Sequence, residues 1–246
     1  MRLKLISCEI FYREMCAAVA RSPHLVDVEF LSKGLHDLGA EKMRAEVQEA
    51  VDRADGSQYE AVLLGYGLCG NGLAGVTARS APLVLTRAHD CITLFLGSKE
   101  RYSDYFQNHP GVYFKTTGWV ERGEKLNQLS IQNRMGLKNT YEELVEKYGE
   151  ENAQYLWETL GDCRKHYRQL TFIEMGVEPD GSCERRAREE AERRGWDFEK
   201  IPGDMGLIQG LLDGPWDPAR FLVVQPGWRI VMRSDEGIVD AEPAST

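Results

Sequence analysis

Apolar positions in this chain fall into short continuous runs separated by longer stretches of helical spacing. The run Leu3–Ser7 (LKLIS) predicts a strand, after which Ile10, Met15, Ala18 and Val19 lie on one face of a helix. Beyond the Ser22-Pro23 break, Leu25–Leu31 (LVDVEFL) predicts a second strand. Met43, Val47, Ala50 and Val51 then mark the inner face of a helix over 41–51. Ala61–Leu64 (AVLL) reads as a fully buried third strand ending in the glycine-rich GYGLCGNG, and Pro82–Leu85 (PLVL) as a fourth. Strands alternating with helices imply a parallel sheet covered on both faces, here in the spatial order 2-1-3-4.

The same alternation returns later. Leu170–Glu174 (LTFIE), Asp197–Ile201 (DFEKI) and Phe221–Val224 (FLVV) predict strands, with helices over 182–194 and 205–212 between them. VDVEFLSKG in the first stretch is echoed by WDFEKIPGD, which makes the second β-α-β-α-β run a candidate duplicate of the first. The intervening stretch is rich in aromatics, from Tyr102 to Trp119, and then helical over 140–148 and 152–160. The expected architecture is α/β: doubly wound, mostly parallel sheets in two closely packed Rossmann-like lobes. Residues 1–100 form the first lobe, 101–168 a connecting segment, 169–236 the second lobe, and 237–246 a frayed tail.

Composition narrows the function more than the fold. Thirty Lys plus Arg against thirty-nine Asp plus Glu leave a net charge of −9, the wrong sign for a general nucleic-acid surface. No run approaches the ~18 apolar residues of a membrane helix. The opening MRLKLISCEIFY meets an acid at Glu9 and shows no small-residue cleavage site, so a cytoplasmic location is expected. In that setting the six cysteines read as thiols or metal ligands and not as a disulfide scaffold.

Where the cysteines fall is the informative point. Cys8 ends the first predicted strand, Cys69 follows the third and Cys91 the fourth. In the order 2-1-3-4 those strands are neighbours ~4.8 Å apart, so three thiols share one carboxyl rim, the edge at which open α/β sheets bind ligands. Three thiolates suit an iron–sulfur cluster with one iron open to substrate. With His89 as a fourth ligand they also suit zinc. The glycines around Cys69 let backbone approach a bulky ligand and offer amides to it, which tilts the expectation toward the cluster. A single such cysteine would be read as a small core residue; three at consecutive strand ends point to a shared site.

Other candidates are softer. His89 and Glu9, beside Cys91 and Cys8, are candidate proton-transfer groups, as are Glu174 and Asp204 at strand ends of the second half. Asp204 is equally placed to cap the helix that follows it. Arg87, Lys99, Gly70 and Asn71 are candidate contacts for a small anionic substrate, against a plainer reading as solvated loop residues. The aromatic run could wall a pocket or simply fill core. Cys16 is expected in the core, while Cys163 and Cys183 are candidate fourth ligands. No G-x-G-x-x-G follows a strand, and no P-loop or G-x-S-x-G is present, so dinucleotide, P-loop and α/β-hydrolase readings fail.

GYGLCGNG, RAHDC, LGSKERY and TTGW resemble an uncharacterised family known as a domain of unknown function, as do KLISCEIF and PGDMGLIQGLLDGPW. The matching positions are Cys8, Gly67, Cys69, Gly70, His89, Asp90, Cys91, Gly97 and Ser98. The resemblance implies an association with corrinoid-dependent methyltransferase systems, and so one-carbon or corrinoid methyl metabolism. The expected function is a metal- or iron–sulfur-dependent enzyme or enzyme accessory, with Cys8, Cys69 and Cys91 as ligands and zinc as the alternative metal. The competing expectation is a non-catalytic binding partner of a corrinoid protein or methyltransferase.

Overall fold

In Arg2–Cys8 (β1) the side chains of Leu3 and Leu5 enter one apolar core and that of Ile6 enters another. All three are fully buried, as a strand covered on both faces requires. The computed structural model describes residues 1–54, 56, 58–122, 145, 149–150 and 167–244. It pairs β1 in parallel with β2 (Leu25–Leu31) and β3 (Ala61–Gly65), and β3 in parallel with β4 (Leu83–Thr86). The spatial order β2-β1-β3-β4 is the expected one. Met15 and Ala18 of α1 (Tyr12–Val19) pack with Leu3, Leu5, Leu63 and Val84. Met43, Val47, Ala50 and Val51 of α2 (Ala40–Arg53) pack on the other face with Ile6, Leu64, Leu83 and Leu85. Each such buried Leu or Ile contributes about 2 kcal/mol, which makes the strand ends a rigid platform. Among the described residues no helix is long and apolar enough to cross a membrane.

The second half departs from the expected repeat. Phe221–Val224 (β8) pairs antiparallel with β4 at the edge of the first sheet, so the later β-α-β-α-β unit does not form. An apolar run such as FLVV states that it wants burial but not on which sheet; α7 (Gly206–Asp213) packs on α1, β3 and β4 and delivers the chain there. The second sheet is instead β5-β6-β7, all parallel, from Val112–Lys115, Gln169–Glu174 and Asp197–Pro202. The aromatic stretch thus contains a strand. One face of this sheet packs on α6 (Ser182–Arg194) through Leu170, Phe172, Cys183, Ala187 and Ala191, while Ile173 and Met175 join the core of the first sheet. Residues 239–243, expected as tail, form β10 (Val239–Pro243), antiparallel to β9 (Trp228–Met232), with Val239 fully buried. The helices expected over 140–148 and 152–160, with Cys163, lie outside the described residues apart from isolated positions.

Candidate functional site

The loops that leave β3 and β4 are zipped together by backbone hydrogen bonds. Leu68 N–H donates to the Ala88 carbonyl at 2.8 Å, and Cys69 N–H to the His89 carbonyl at 2.9 Å. Gly67 permits this approach: a Cβ there would stand 2.6 Å from the carbonyl carbon of Asp90 and 2.7 Å from its Cα, backbone atoms that cannot swing aside. The three residues after Leu68 turn in the left-handed region, Cys69 at φ 50°, Gly70 at 64° and Asn71 at 70°. Glycine and asparagine adopt it readily; for cysteine it costs about 1–2 kcal/mol, a kind of strain that concentrates at ligand sites.

Cys91 opens α3 (Cys91–Leu96), which Asp90 caps: its Oδ1 accepts from Ile92 N–H at 2.9 Å and Thr93 N–H at 3.4 Å. Its other oxygen accepts from the Tyr102 hydroxyl at 3.0 Å, on α4 (Lys99–Asn108). Cys91 lies near enough to Cys69 for that neighbour to hold its proton more tightly. Cys8, Cys69 and Cys91 line one cavity of about 340 Å³ at the carboxyl edge of the first sheet. Its other walls include Tyr66, Lys33 and the aromatic rings of Phe11, Tyr102, Phe106, Phe114 and Trp119. The aromatic stretch therefore does wall a pocket, with Phe114 supplied by β5 of the second sheet. Lys33, almost fully buried, sets its ammonium 5.8 Å from the Trp119 ring centre.

This environment keeps Cys8 and Cys91 protonated. Desolvation pushes Cys8 up to about 12, with the negative charges of Cys69 and Glu9 adding to it. Cys91 is raised by its hydrogen bond with Cys69 and then by burial. A soft cation would have to displace those protons on binding. Among the described residues, no group of three or more His, Cys, Asp or Glu side chains is arranged to hold a metal ion. The three thiols line a wall without closing on one point.

Most of the softer candidates are employed elsewhere. His89 is exposed and borders a separate open depression of about 550 Å³ with Lys99, so it does not complete a ligand set with the thiols. Tyr102 and Phe106 border both spaces. Lys99 donates to the Glu236 carbonyl at 3.0 Å. Glu9 accepts from Lys33 N–H at 3.0 Å, holding the loop after β2. The Arg87 guanidinium donates to the carbonyls of Pro218, Gly237 and Val239, a clamp between β4 and the closing hairpin and not a substrate contact. Gly70 and Asn71 are exposed and border none of the cavities described here. Their neighbouring amides serve the loop itself, Gly72 N–H donating to the Cys69 carbonyl. Glu174 is exposed and paired with Lys200 at 3.2 Å, and Asp204 accepts from Gly206 N–H at 2.6 Å just ahead of α7, whose N-cap is Met205. Both lie away from the thiol cavity. Cys183 is a core residue on the inner face of α6, and Cys16 is exposed where core was expected, its place inside taken by Glu14.

Tyr66 and Lys33 were not legible as site residues. A tyrosine between two glycines carries a weak hint, but the register that turns it into the cavity is tertiary. A family model described as a protein of unknown function (DUF1638) matches residues 30–212, well over half of the chain. The match takes in Cys69 and Cys91 and begins after Cys8. No curated protein and no solved structure matches the chain.

Proposed function

Because the chain belongs to the DUF1638 family, whose function is unknown, we propose its role from the thiol cavity. The protein is a metal- or iron–sulfur-dependent enzyme or enzyme accessory in which Cys8, Cys69 and Cys91 hold a soft-metal centre. The observation that carries this reading is that three sequence-distant thiols share one aromatic-walled cavity of about 340 Å³. That volume corresponds to on the order of ten water molecules, far more than one ion needs. The room beside the thiols leans this reading to an iron–sulfur cluster over the zinc alternative, with space for a small substrate. When bound, such a cluster supplies an open iron as Lewis acid or passes electrons. The chain's own residues exclude water with the aromatic walls and bring the Lys33 cation beside Cys8. On this reading the protein acts in one-carbon or corrinoid methyl metabolism, as the resemblance of the motifs implies, with a corrinoid protein or methyltransferase as partner.

The test is metal and sulfide analysis of anaerobically purified protein with its visible absorbance. Stoichiometric iron and sulfide with a brown chromophore is the expected result, lost in Cys69→Ser and Cys91→Ser while the circular dichroism is kept. Zinc without colour would select the alternative metal. Absence of all three in the parent overturns the reading and favours a non-catalytic partner of a corrinoid protein or methyltransferase.

A further inference from the structure

We propose that the cavity at the carboxyl edge of the first sheet binds a small, uncharged, flat-ring molecule of one or two rings. The proposal goes beyond the soft-metal reading and does not depend on it, because it rests on the walls and not on the thiols as ligands. Size is the first observation. About 340 Å³ lies within the range of small-molecule sites. It is roughly twice the ~150 Å³ of an apolar cavity that admits benzene, so two fused rings have room. The walls are the second observation. Four separate segments bring aromatic rings to this space: Phe11 from the turn after β1, Tyr102 and Phe106 from α4, Phe114 from β5, and Trp119 from α5 (Thr117–Arg122). Rings pack on rings in offset or edge-on contacts that a saturated skeleton does not make. Sulfur at a ring edge adds a further favourable contact, and Cys8 and Cys91, kept protonated by burial, can supply it.

The third observation is that the charges in the wall already have partners. Asp90 accepts from the α3 amides with one oxygen and from the Tyr102 hydroxyl with the other. The Lys33 ammonium stands over the Trp119 ring. The Ser32 hydroxyl oxygen, also in the wall, accepts from Gly34 N–H at 3.2 Å. An ionised ligand would give up its water to walls whose charges are already matched, a cost that an uncharged ring avoids. Shape and ring contact are therefore what this cavity can recognise. Tyr102 and Phe106 stack one helical turn apart, their ring centres 5.9 Å from each other, and border both the cavity and the open depression beside His89. Phe106 is 51 % exposed, so it can be shortened without opening the core.

Calorimetry on the protein as purified tests this with 2-naphthol as the probe. Its anionic counterpart 2-naphthoate and its saturated counterpart decahydro-2-naphthol serve as comparisons. 2-Naphthol should bind one to one, and each counterpart roughly tenfold more weakly or worse. Phe106→Ala should melt with wild type and weaken 2-naphthol about threefold to tenfold, the worth of one aromatic contact. Binding of either counterpart as tight as that of 2-naphthol overturns the proposal, as does unchanged affinity in a folded Phe106→Ala. So does an absence of saturable 2-naphthol binding by wild type. Metal analysis of the same preparation keeps the two readings apart. Iron or zinc without 2-naphthol binding sinks this inference alone, whereas 2-naphthol binding by a metal-free protein upholds it while the soft-metal reading falls.

Discussion

Both parallel sheets bring polar residues to their carboxyl edges, and the two edges treat them in opposite ways. At the second sheet, Glu174 ends β6 in solvent and is matched by Lys200, which also stands 3.0 Å from Glu184. Asp204, after β7, holds the Gly206 amide. At the first sheet β3 and β4 are buried along their whole length, and the edge carries thiols, an unmet phenol and a cysteine in a left-handed turn. Exposed ion pairs are worth little and answer one another. Dry polar groups without an answer, held in place at a cost in strain, mark the place where a ligand would be met. Two similar sheet edges therefore differ in how their polar groups are answered because they differ in burial.

The largest effect is expected at Gly67, since its close approach to Asp90 creates the first edge. Gly67→Ala forces a Cβ against backbone and should cost about 3 kcal/mol in urea denaturation, with loss of soft-metal uptake. An alanine variant of unchanged stability that still loads would mean the zipped loops are not what gathers the thiols.

A comparable effect should appear with pH at Glu14 on α1, which is fully buried with neither carboxylate oxygen hydrogen-bonded. Burial pushes its carboxyl from the ordinary 4.5 up to about 7; the charges of Glu178 and Glu121 add to the rise and Arg13 opposes it. Between those values the folded chain keeps a proton that the unfolded chain has lost. Stability should therefore fall as pH rises from 4.5 to about 7 and level off above it, by at most about 3 kcal/mol. Glu14→Gln should flatten that slope and be the more stable protein at pH above 7. Parallel pH profiles for the two proteins would show that Glu14 is answered in solution.

A smaller loss, about 2 kcal/mol, is expected for Arg87→Ala, which removes charged hydrogen bonds to the closing hairpin. Metal or cluster content should not change, which separates this clamp from the site it borders in sequence. Least of all should happen at the second edge. Glu174→Gln and Asp204→Asn are expected to leave loading intact, and a loss of bound group in either would erase the contrast between the two edges.

The order of the first sheet was readable because its strands are short apolar runs between amphipathic helices, and parallel pairing with a buried central strand follows from that pattern. The placement of Cys8, Cys69 and Cys91 on one rim followed with it, since strand order and strand ends together put them there. Chain periodicity did not reveal the sheet that FLVV would join, because burial demand is local while pairing depends on where α7 delivers the chain. Nor did it reveal β10: VDAEP is too polar to announce a strand until β9 lies beside it to receive Val239 and Ala241. His89 and Arg87 precede Cys91 by two and four residues, yet His89 borders a separate depression and Arg87 binds the closing hairpin, because position along a loop does not fix where a side chain is engaged. The sequence by itself determined the doubly wound sheet and its thiol rim, which depend on residue types at strand ends. Only the tertiary structure decided the aromatic walls, the buried Tyr66 hydroxyl and the second sheet that closes the cavity, because these depend on packing between segments far apart in the chain.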